Sequence, residues 1–430
     1  MKVIAIIIAK ITLIVGRILK RGSSLPGYIA RRISPNILGQ LKQPPNIVMV
    51  TGTNGKTSTT HFISSIMEKA SYKVAHNREG ANMPQGITTV LLENSNLAGV
   101  IDADVSVLEV DEGFLKMVTD EITPDYLVLT NLFEDQLDRF GNLEEVAKKI
   151  KNAVPKKTKL IINANDPLLV KIGKDLIENE KIYYGVEGLE IKNEKAETKC
   201  PNCSKELNYD KLFYDKIGYY TCSCGFKTPE IDYLAKDVNL EDKTFMLNGH
   251  RFKSSYGSDY FIYNILAAIS YAKEMGITDT IIEKAIKDYK IGSGRMESIA
   301  FGKHNTILNL VKNPAGLNRS IEFIDKNQNE DYYLLISVNN RPADGEDTTW
   351  LKTVNYQPLQ ADKLKTIYIF GEAVQDLRAA LIESGIDTSK IEVIEDLEVT
   401  LIKLKNSPEK TYFLTNYTAM ERVSKALESI

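Results

Sequence analysis

Lys56 and Thr57 close the run Gly52-Thr53-Asn54-Gly55-Lys56-Thr57, which follows directly on the apolar stretch Asn46–Thr51. Glycines let backbone N–H groups approach an anion closely. A helix beginning here points its positive end at that anion. The lysine reaches β- and γ-phosphates, and the threonine hydroxyl can ligate Mg²⁺. The expected chemistry is a phosphate cradle for ATP, about one residue shorter than the common G-x-x-x-x-G-K-[ST] loop. A second group, Glu109-Val110-Asp111-Glu112, leaves another apolar run. A carboxylate at a strand end beside a phosphate loop can hold Mg²⁺, which takes one or two carboxylates plus phosphate oxygens. Glu109 is the first candidate, directly or through water, and a solvated acidic loop is the bland alternative. Asn131 follows a third run together with Glu134 and Asp135, and Asn163-Ala164-Asn165-Asp166 follows a fourth.

All four cysteines lie in one segment, as Cys200-Pro-Asn-Cys203 and Cys222-Ser-Cys224. Four thiolates close a tetrahedral Zn²⁺ site with no open position, which is a structural arrangement. The spacing is that of a zinc ribbon, with a tighter second pair than usual. Redox pairs or free thiols are the rival readings. Zinc would stabilise an insertion too small to bury a core of its own, and nothing in the spacing ties it to a reaction.

The elements that must position these groups read as strands at 47–51, 105–110, 126–130 and 159–162, alternating with helices at 57–70, 143–153 and 168–178. Such alternation predicts an α/β fold, a mostly parallel sheet covered on both faces, with ligands at the carboxyl ends of the strands. An Ala-rich helix is expected over Tyr260–Met275, and Gly292-Ser293-Gly294 marks a hinge. A second alternating series follows, with helices at 317–326, 351–361 and 372–383 between strands. The expected organisation is a basic helical segment over 1–45, an ATP-binding α/β domain over 46–295 with the zinc-ribbon insertion at 196–230, and a smaller α/β domain over 296–430. The 54 basic and 57 acidic residues give a net charge of −3, which argues against nucleic acid as a ligand. The clustered cysteines suit a reducing cytoplasm. Residues 1–19 are apolar but interrupted by Lys10 and followed by Lys20, Arg21, Arg31 and Arg32. A helix packed on the body of the protein, a surface helix on the inner face of the plasma membrane, a signal peptide and a spanning helix are the competing expectations.

The glycine loop, the Thr130-Asn131 block with Asp135 and Asp138, Asn163–Asp166, Tyr263-Asn264 with Ala267-Ala268, and Gly294-Arg295-Met296-Glu297 occur here in the order found in the Mur ligases. The chain resembles those ATP-dependent enzymes of cell-wall peptide assembly and their relative, folylpolyglutamate synthase. The resemblance implies that Gly52, Thr53, Asn54, Gly55, Lys56 and Thr57 hold the phosphates. It further implies that Glu109 carries Mg²⁺, Asn264 meets adenine and Arg295 meets the nucleotide, with Asn131 on the same sheet edge. Gln136 stands where the family has a metal-binding His, which leaves a second Mg²⁺ without its usual ligand. Lys148, Lys149 and Lys151 are all available for the family's carbamylated lysine. Val311-Lys312-Asn313-Pro314-Ala315-Gly316, Ala343-Asp344-Gly345-Glu346-Asp347-Thr348-Thr349-Trp350 and Tyr417-Thr418-Ala419-Met420 resemble one branch, the MurT-type subunits of lipid II isoglutaminyl synthases.

The branch resemblance implies ATP-dependent amidation of the D-glutamate α-carboxyl of the lipid II stem peptide, through an acyl phosphate. Ammonia would come from a GatD-type class I glutamine amidotransferase on a separate chain. With its cysteines committed to metal and only four His, this chain offers no glutaminase of its own. Asp344 or Asp347 is the candidate to orient the partner's catalytic His, and a capped turn before Trp350 is the alternative for either. Two other readings stand beside this one: a ligase that adds an amino acid, and a nucleotide-gated, zinc-binding scaffold.

Overall fold

The computed structural model describes residues 1–18, 24–78, 81–133, 143–189, 198–254, 258–289, 296–341 and 344–430. Gln136, the hinge glycines Gly292 and Gly294, and Arg295 lie outside them. One compact unit takes in the described residues between Met1 and Tyr289, and the other those from Met296 to Ile430.

The first unit begins with three helices, α1 (Lys2–Ile18), α2 (Leu25–Ile33) and α3 (Ile37–Gln40). Then follow β1 (Asn46–Thr51), α4 (Lys56–Lys69), β2 (Val74–His76), α5 (Pro84–Glu93), β3 (Val105–Glu109), α6 (Leu115–Thr119) and β4 (Tyr126–Leu129). After these come α7 (Leu143–Ala153), β5 (Lys159–Asn163), α8 (Pro167–Asp175) and β6 (Lys181–Val186). A two-stranded ribbon, β7 (Asn208–Tyr214) and β8 (Ile217–Thr221), precedes β9 (Tyr233–Asn239), β10 (Thr244–Leu247) and β11 (His250–Lys253). Helices α9 (Asp259–Glu274) and α10 (Asp279–Asp288) end the unit. Nine strands form one sheet in the order β11-β10-β9-β6-β5-β4-β1-β3-β2. It is parallel from β2 to β9, and β10 and β11 extend it in antiparallel fashion.

Helices cover both faces of such a sheet, so its strands read as continuous apolar runs rather than alternating ones. In β1 every residue after Asn46 is buried. Each large apolar side chain so buried stabilises by about 1.5–3 kcal/mol at most. The helix expected at 168–178 starts one residue earlier, because Pro167 occupies its first turn and Asp166 caps Leu168 N and Leu169 N. Helix α1 runs unbroken through Lys10, whose Nζ donates to Leu92 O at 3.0 Å. No helix among the described residues is long and apolar enough to cross a membrane.

The second unit holds β12 (Glu297–Phe301), β13 (His304–Leu310), α11 (Pro314–Asn327), β14 (Tyr332–Ser337), β15 (Leu364–Phe370) and α12 (Val374–Glu383). It ends with β16 (Ile391–Val393), α13 (Leu397–Lys405), β17 (Lys410–Thr415) and α14 (Tyr417–Ser429). Its six-stranded sheet runs β12-β13-β17-β14-β15-β16 and is parallel apart from the β12–β13 hairpin. The helix expected at 351–361 is instead two short 3₁₀ turns, Thr349–Thr353 and Gln357–Gln360. Asn355 separates them: its N–H donates to Asn318 Oδ1 and its own Oδ1 accepts from Gln357 N. Such side-chain bonds compete with helix continuation.

Candidate functional site

The loop between β1 and α4 is shaped by Gly52 at φ +130° and Gly55 at φ +84°. A Cβ on Gly52 would stand 2.3 Å from Thr130 Oγ1, and one on Gly55 would stand 2.1 Å from Asn264 Oδ1. Both glycines therefore serve conformation and close approach together. The second approach brings the amide of Asn264, from α9, against the loop. From the end of β4, Asn131 holds the loop through three contacts. Its carbonyl accepts from Thr53 N at 2.8 Å, its Oδ1 accepts from Asn54 N at 2.9 Å, and its Nδ2 donates to Asn54 O at 3.1 Å. Helix α4 then begins with no side chain capping it, so its first-turn N–H groups remain for an anion.

Lys56 and Thr57 each meet an acidic partner from β3 or the residues just after it. Lys56 Nζ lies 3.1 Å from Glu112 Oε2 and donates to Gly52 O at 2.5 Å. Burial works to neutralise this ammonium, but Glu112, Asp111 and Glu109 outweigh it and hold its pKa above the ordinary lysine value. Thr57 Oγ1 donates to Glu109 Oε2 at 2.7 Å, and Asn82 Nδ2 donates to Glu109 Oε1 at 2.9 Å. Asn77 fixes the Glu109 backbone from both sides, accepting from its N–H and donating to its carbonyl at 2.8 Å each. A hydroxyl and a carboxylate in contact beside a phosphate-loop lysine form a hard oxygen donor set that suits Mg²⁺. Asn77 and Asn82 were not singled out from sequence. Lone amides some thirty positions before their partner carry no local signal.

The Asn163–Asp166 block is a brace. Asn163 Nδ2 donates to Thr130 O at 3.1 Å, behind the loop. Asn165 Oδ1 accepts from Tyr263 OH at 3.0 Å and Val186 N at 2.8 Å, while Gly218 N of β8 donates to Asn165 O at 3.0 Å. Asp166 accepts Leu132 N, Leu168 N and Leu169 N. Burial nevertheless pushes its carboxyl up to about 6 against those three donors.

At the base of the ribbon the sulfurs of Cys200, Cys203, Cys222 and Cys224 all lie within 4.8 Å of one another. Cys200–Cys224 and Cys203–Cys222 are 3.8 and 3.6 Å apart. Thiolates about 2.3 Å from a tetrahedral zinc stand about 3.8 Å apart, so the cluster fits that ion.

In the second unit Asp344 and Asp347 differ. Asp344 is 5% exposed, and both its oxygens are engaged by Thr418, one by its N–H at 2.8 Å and the other by its hydroxyl. It fixes the start of α14. Asp347 is half-buried, and its Oδ1 accepts from Thr349 N at 2.8 Å. The Thr349 side chain and N–H hold its carboxyl below the usual range, so it is ionised at neutral pH. The structure thus gathers Gly52, Thr53, Asn54, Gly55, Lys56, Thr57, Glu109, Asn131 and Asn264 around one loop. It gathers the four cysteines at a second place, and Asp344 and Asp347 on the loop after β14.

Comparison with known proteins gives two matching family profiles, "Mur ligase middle domain" over residues 50–272 and "MurT ligase C-terminal" over 310–420. The chain is 32% identical to the "Lipid II isoglutaminyl synthase (glutamine-hydrolyzing) subunit MurT" of Staphylococcus aureus (strain COL), over 95% of this chain and 94% of that one. It is 33% identical to the like-named subunit of Streptococcus pneumoniae (strain ATCC BAA-255 / R6), over 96% and 93%. Among solved structures, a pseudomurein peptide ligase type C from Methanothermus fervidus matches with a TM-score of 0.71 and 23% identity, covering 92% of this chain and 81% of that one. MurF from Acinetobacter baumannii matches at 0.66 and 16%, covering 93% and 81%. These last two likenesses are likenesses of fold.

Proposed function

The chain belongs to the Mur ligase family, in its MurT branch, and from that premise we propose that it is the synthetase subunit of a lipid II isoglutaminyl synthase. The substrate carboxylate is the α-carboxyl of D-glutamate in the lipid II stem peptide. Its oxygen attacks the γ-phosphorus of ATP and ADP leaves. Ammonia then adds to the acyl phosphate and expels inorganic phosphate, giving the D-isoglutamine amide. We assign the nucleotide chemistry to 46–295 and contact with the ammonia-supplying subunit to 296–430.

The observation that carries this reading is the cluster of Lys56, Thr57 and Glu109 at the foot of the glycine loop. Lys56 neutralises charge on the transferring phosphoryl group, Gly55 and the first turn of α4 offer backbone N–H groups to the phosphates, Asn54 holds the loop's shape against Asn131, and Asn264 and Arg295 serve the base and nucleotide sides. Thr57 and Glu109 would hold Mg²⁺, which supplies charge neutralisation on the phosphate oxygens. Cys200, Cys203, Cys222 and Cys224 would hold a structural Zn²⁺.

Most ammonia is protonated at neutral pH, so a glutaminase must deliver it in neutral form. The partner is a GatD-type class I glutamine amidotransferase with its own Cys and His. Of the two candidate carboxylates, Asp347 is the one that can orient the partner's imidazole, because it is ionised and not enclosed. Asp344 is committed to Thr418.

The test incubates lipid II, ATP and glutamine with both chains and with each alone. Amidated lipid II is expected only with both chains, and Lys56→Ala abolishes it. Phosphate release by the lone chain that depends on an added amino acid would support an amino-acid-adding ligase instead. Amidation that survives Lys56→Ala would reduce the chain to a scaffold.

A further inference from the structure

Helix α1 has one face held and one face bare. Ala5, Ile6 and Ala9 are fully buried, and the helix packs on α2 and α5. The bond from Lys10 Nζ to Leu92 O fixes its rotation. On the opposite face Ile4, Ile7, Ile8, Ile11, Ile14 and Val15 are exposed, from 36% at Ile8 to 59% at Ile14. At about 100° per residue these positions share one arc of about 120°. Leu25 and Tyr28 of α2 are exposed as well. Isolated exposed apolar side chains are ordinary, but a continuous stripe marks an interaction surface.

Charge selects the occupant. Residues 1–45 contain Lys2, Lys10, Arg17, Lys20, Arg21, Arg31, Arg32 and Lys42 and no Asp or Glu, and the first acidic residue of the chain is Glu68. Eight positive charges thus stand in this segment of a chain whose net charge is −3, leaving −11 for the rest. Arg31 is spent on Glu121 at 2.8 Å. The Lys10 ammonium is turned onto Leu92 O, so the charge offered to a partner comes from the other cations of the segment. An apolar stripe alone would suit protein or lipid. An apolar stripe in a segment that carries eight basic residues and no carboxylate complements an anionic surface with an apolar interior.

We propose that this face of α1 seats the first unit on an anionic lipid bilayer, with the helix lying in the interface plane. At 17 residues α1 is about 25 Å long, short of the roughly 30 Å hydrocarbon core, and its inner face is already committed to the protein. The inference rests on α1 and the charge distribution and does not depend on the identity of the substrate.

The test is co-sedimentation of the full chain with vesicles of phosphatidylcholine alone or mixed with phosphatidylglycerol. Binding to the anionic vesicles is expected, weakening by several fold when salt is raised from about 0.1 M to about 0.5 M. The neutral vesicles should bind much less. Ile7→Asn with Ile11→Asn should cut binding by at least about tenfold. The thermal midpoint of that variant should stay unchanged, since these side chains are 41% and 56% exposed. A wild-type chain that stays in the supernatant overturns the proposal. So does equal binding to both vesicle types, or binding that survives the double substitution. A chain that is dimeric in solution, made monomeric by the same substitutions and never bound to vesicles, would assign the stripe to a second copy.

Discussion

Lys56 shows how tightly the chemistry and stability of single residues are joined. Its ammonium and the Glu112 carboxylate are both more than nine-tenths buried and 3.1 Å apart. Removing one member leaves the other charged in a poorly solvated place, which costs about 3–5 kcal/mol, whereas removing both costs far less. Lys56→Met should therefore lower stability by several kcal/mol in urea unfolding, and Lys56→Met with Glu112→Gln should recover most of it. Neither variant should turn over ATP, since both lack the ammonium that we assign to the transferring phosphoryl. If the double variant is as unstable as the single one, Glu112 is not what Lys56 holds in place. Asp166 supplies a pH dependence. Its pKa is raised from the ordinary 3.8 to about 6 in the folded chain, so between those values the folded form keeps a proton that the unfolded form has released. Stability from this group is greatest at the acid end and falls as pH rises through that window. Asp166→Asn removes this slope. The urea midpoint of the variant should gain on the wild type by an equivalent of about 1–3 kcal/mol between pH 4 and pH 7. A constant difference across that range would mean Asp166 is ionised throughout.

At the scale of elements, the ribbon is more than an appendage. Cys200, Leu207, Tyr220, Cys222 and Phe226 belong to the same apolar cluster as β1 and β5. Tyr220 OH donates to Ala164 O at 3.3 Å, and Gly218 N bonds to Asn165 O. Asn165 in turn accepts from Tyr263, the neighbour of Asn264. Removal of the proposed zinc by a chelator, or Cys200→Ser, should lower the thermal midpoint by several degrees and weaken ATP-analogue binding by a few fold, through loss of this brace. Calorimetry and nucleotide titration on the chelated protein check it, and unchanged nucleotide affinity would confine zinc to stability. This link was not legible from the cysteine spacing, which speaks only of the ion. What could be read were the features whose signals are local: the β1–loop–α4 unit with its two glycines, the strand–helix alternation, and the four cysteines as one cluster. What could not be read were contacts set by register between distant segments. Asn77 and Asn82 on Glu109 and Asn165 on β8 are of that kind. Around Asn355 the apolar spacing predicts a helix, and the backbone turns instead because a bond to the Asn318 side chain outweighs that spacing.

Across the whole molecule, the reaction we propose divides into activating a carboxyl group and supplying ammonia, and the residues assigned to the two tasks lie in separate compact units. Lys56, Thr57 and Glu109 belong to the first unit, and Asp347 to the second. A carboxylate that orients a partner's imidazole matters only while glutamine is the nitrogen source. External ammonium at alkaline pH supplies neutral ammonia directly and makes that service unnecessary. Asp347→Ala, assayed in the two-chain complex, should therefore lose glutamine-dependent amidation of lipid II by about 10²-fold or more while keeping most of the ammonium-dependent rate. Lys56→Ala should lose both. Asp344→Ala should differ from Asp347→Ala, because Asp344 holds Thr418 at the start of α14. Its loss should lower the thermal midpoint, and Asp344→Asn, which keeps one acceptor oxygen, should restore part of it. If Asp347→Ala instead depresses the two nitrogen sources equally, Asp347 supports the fold or the activation step, and the imidazole is oriented by another group.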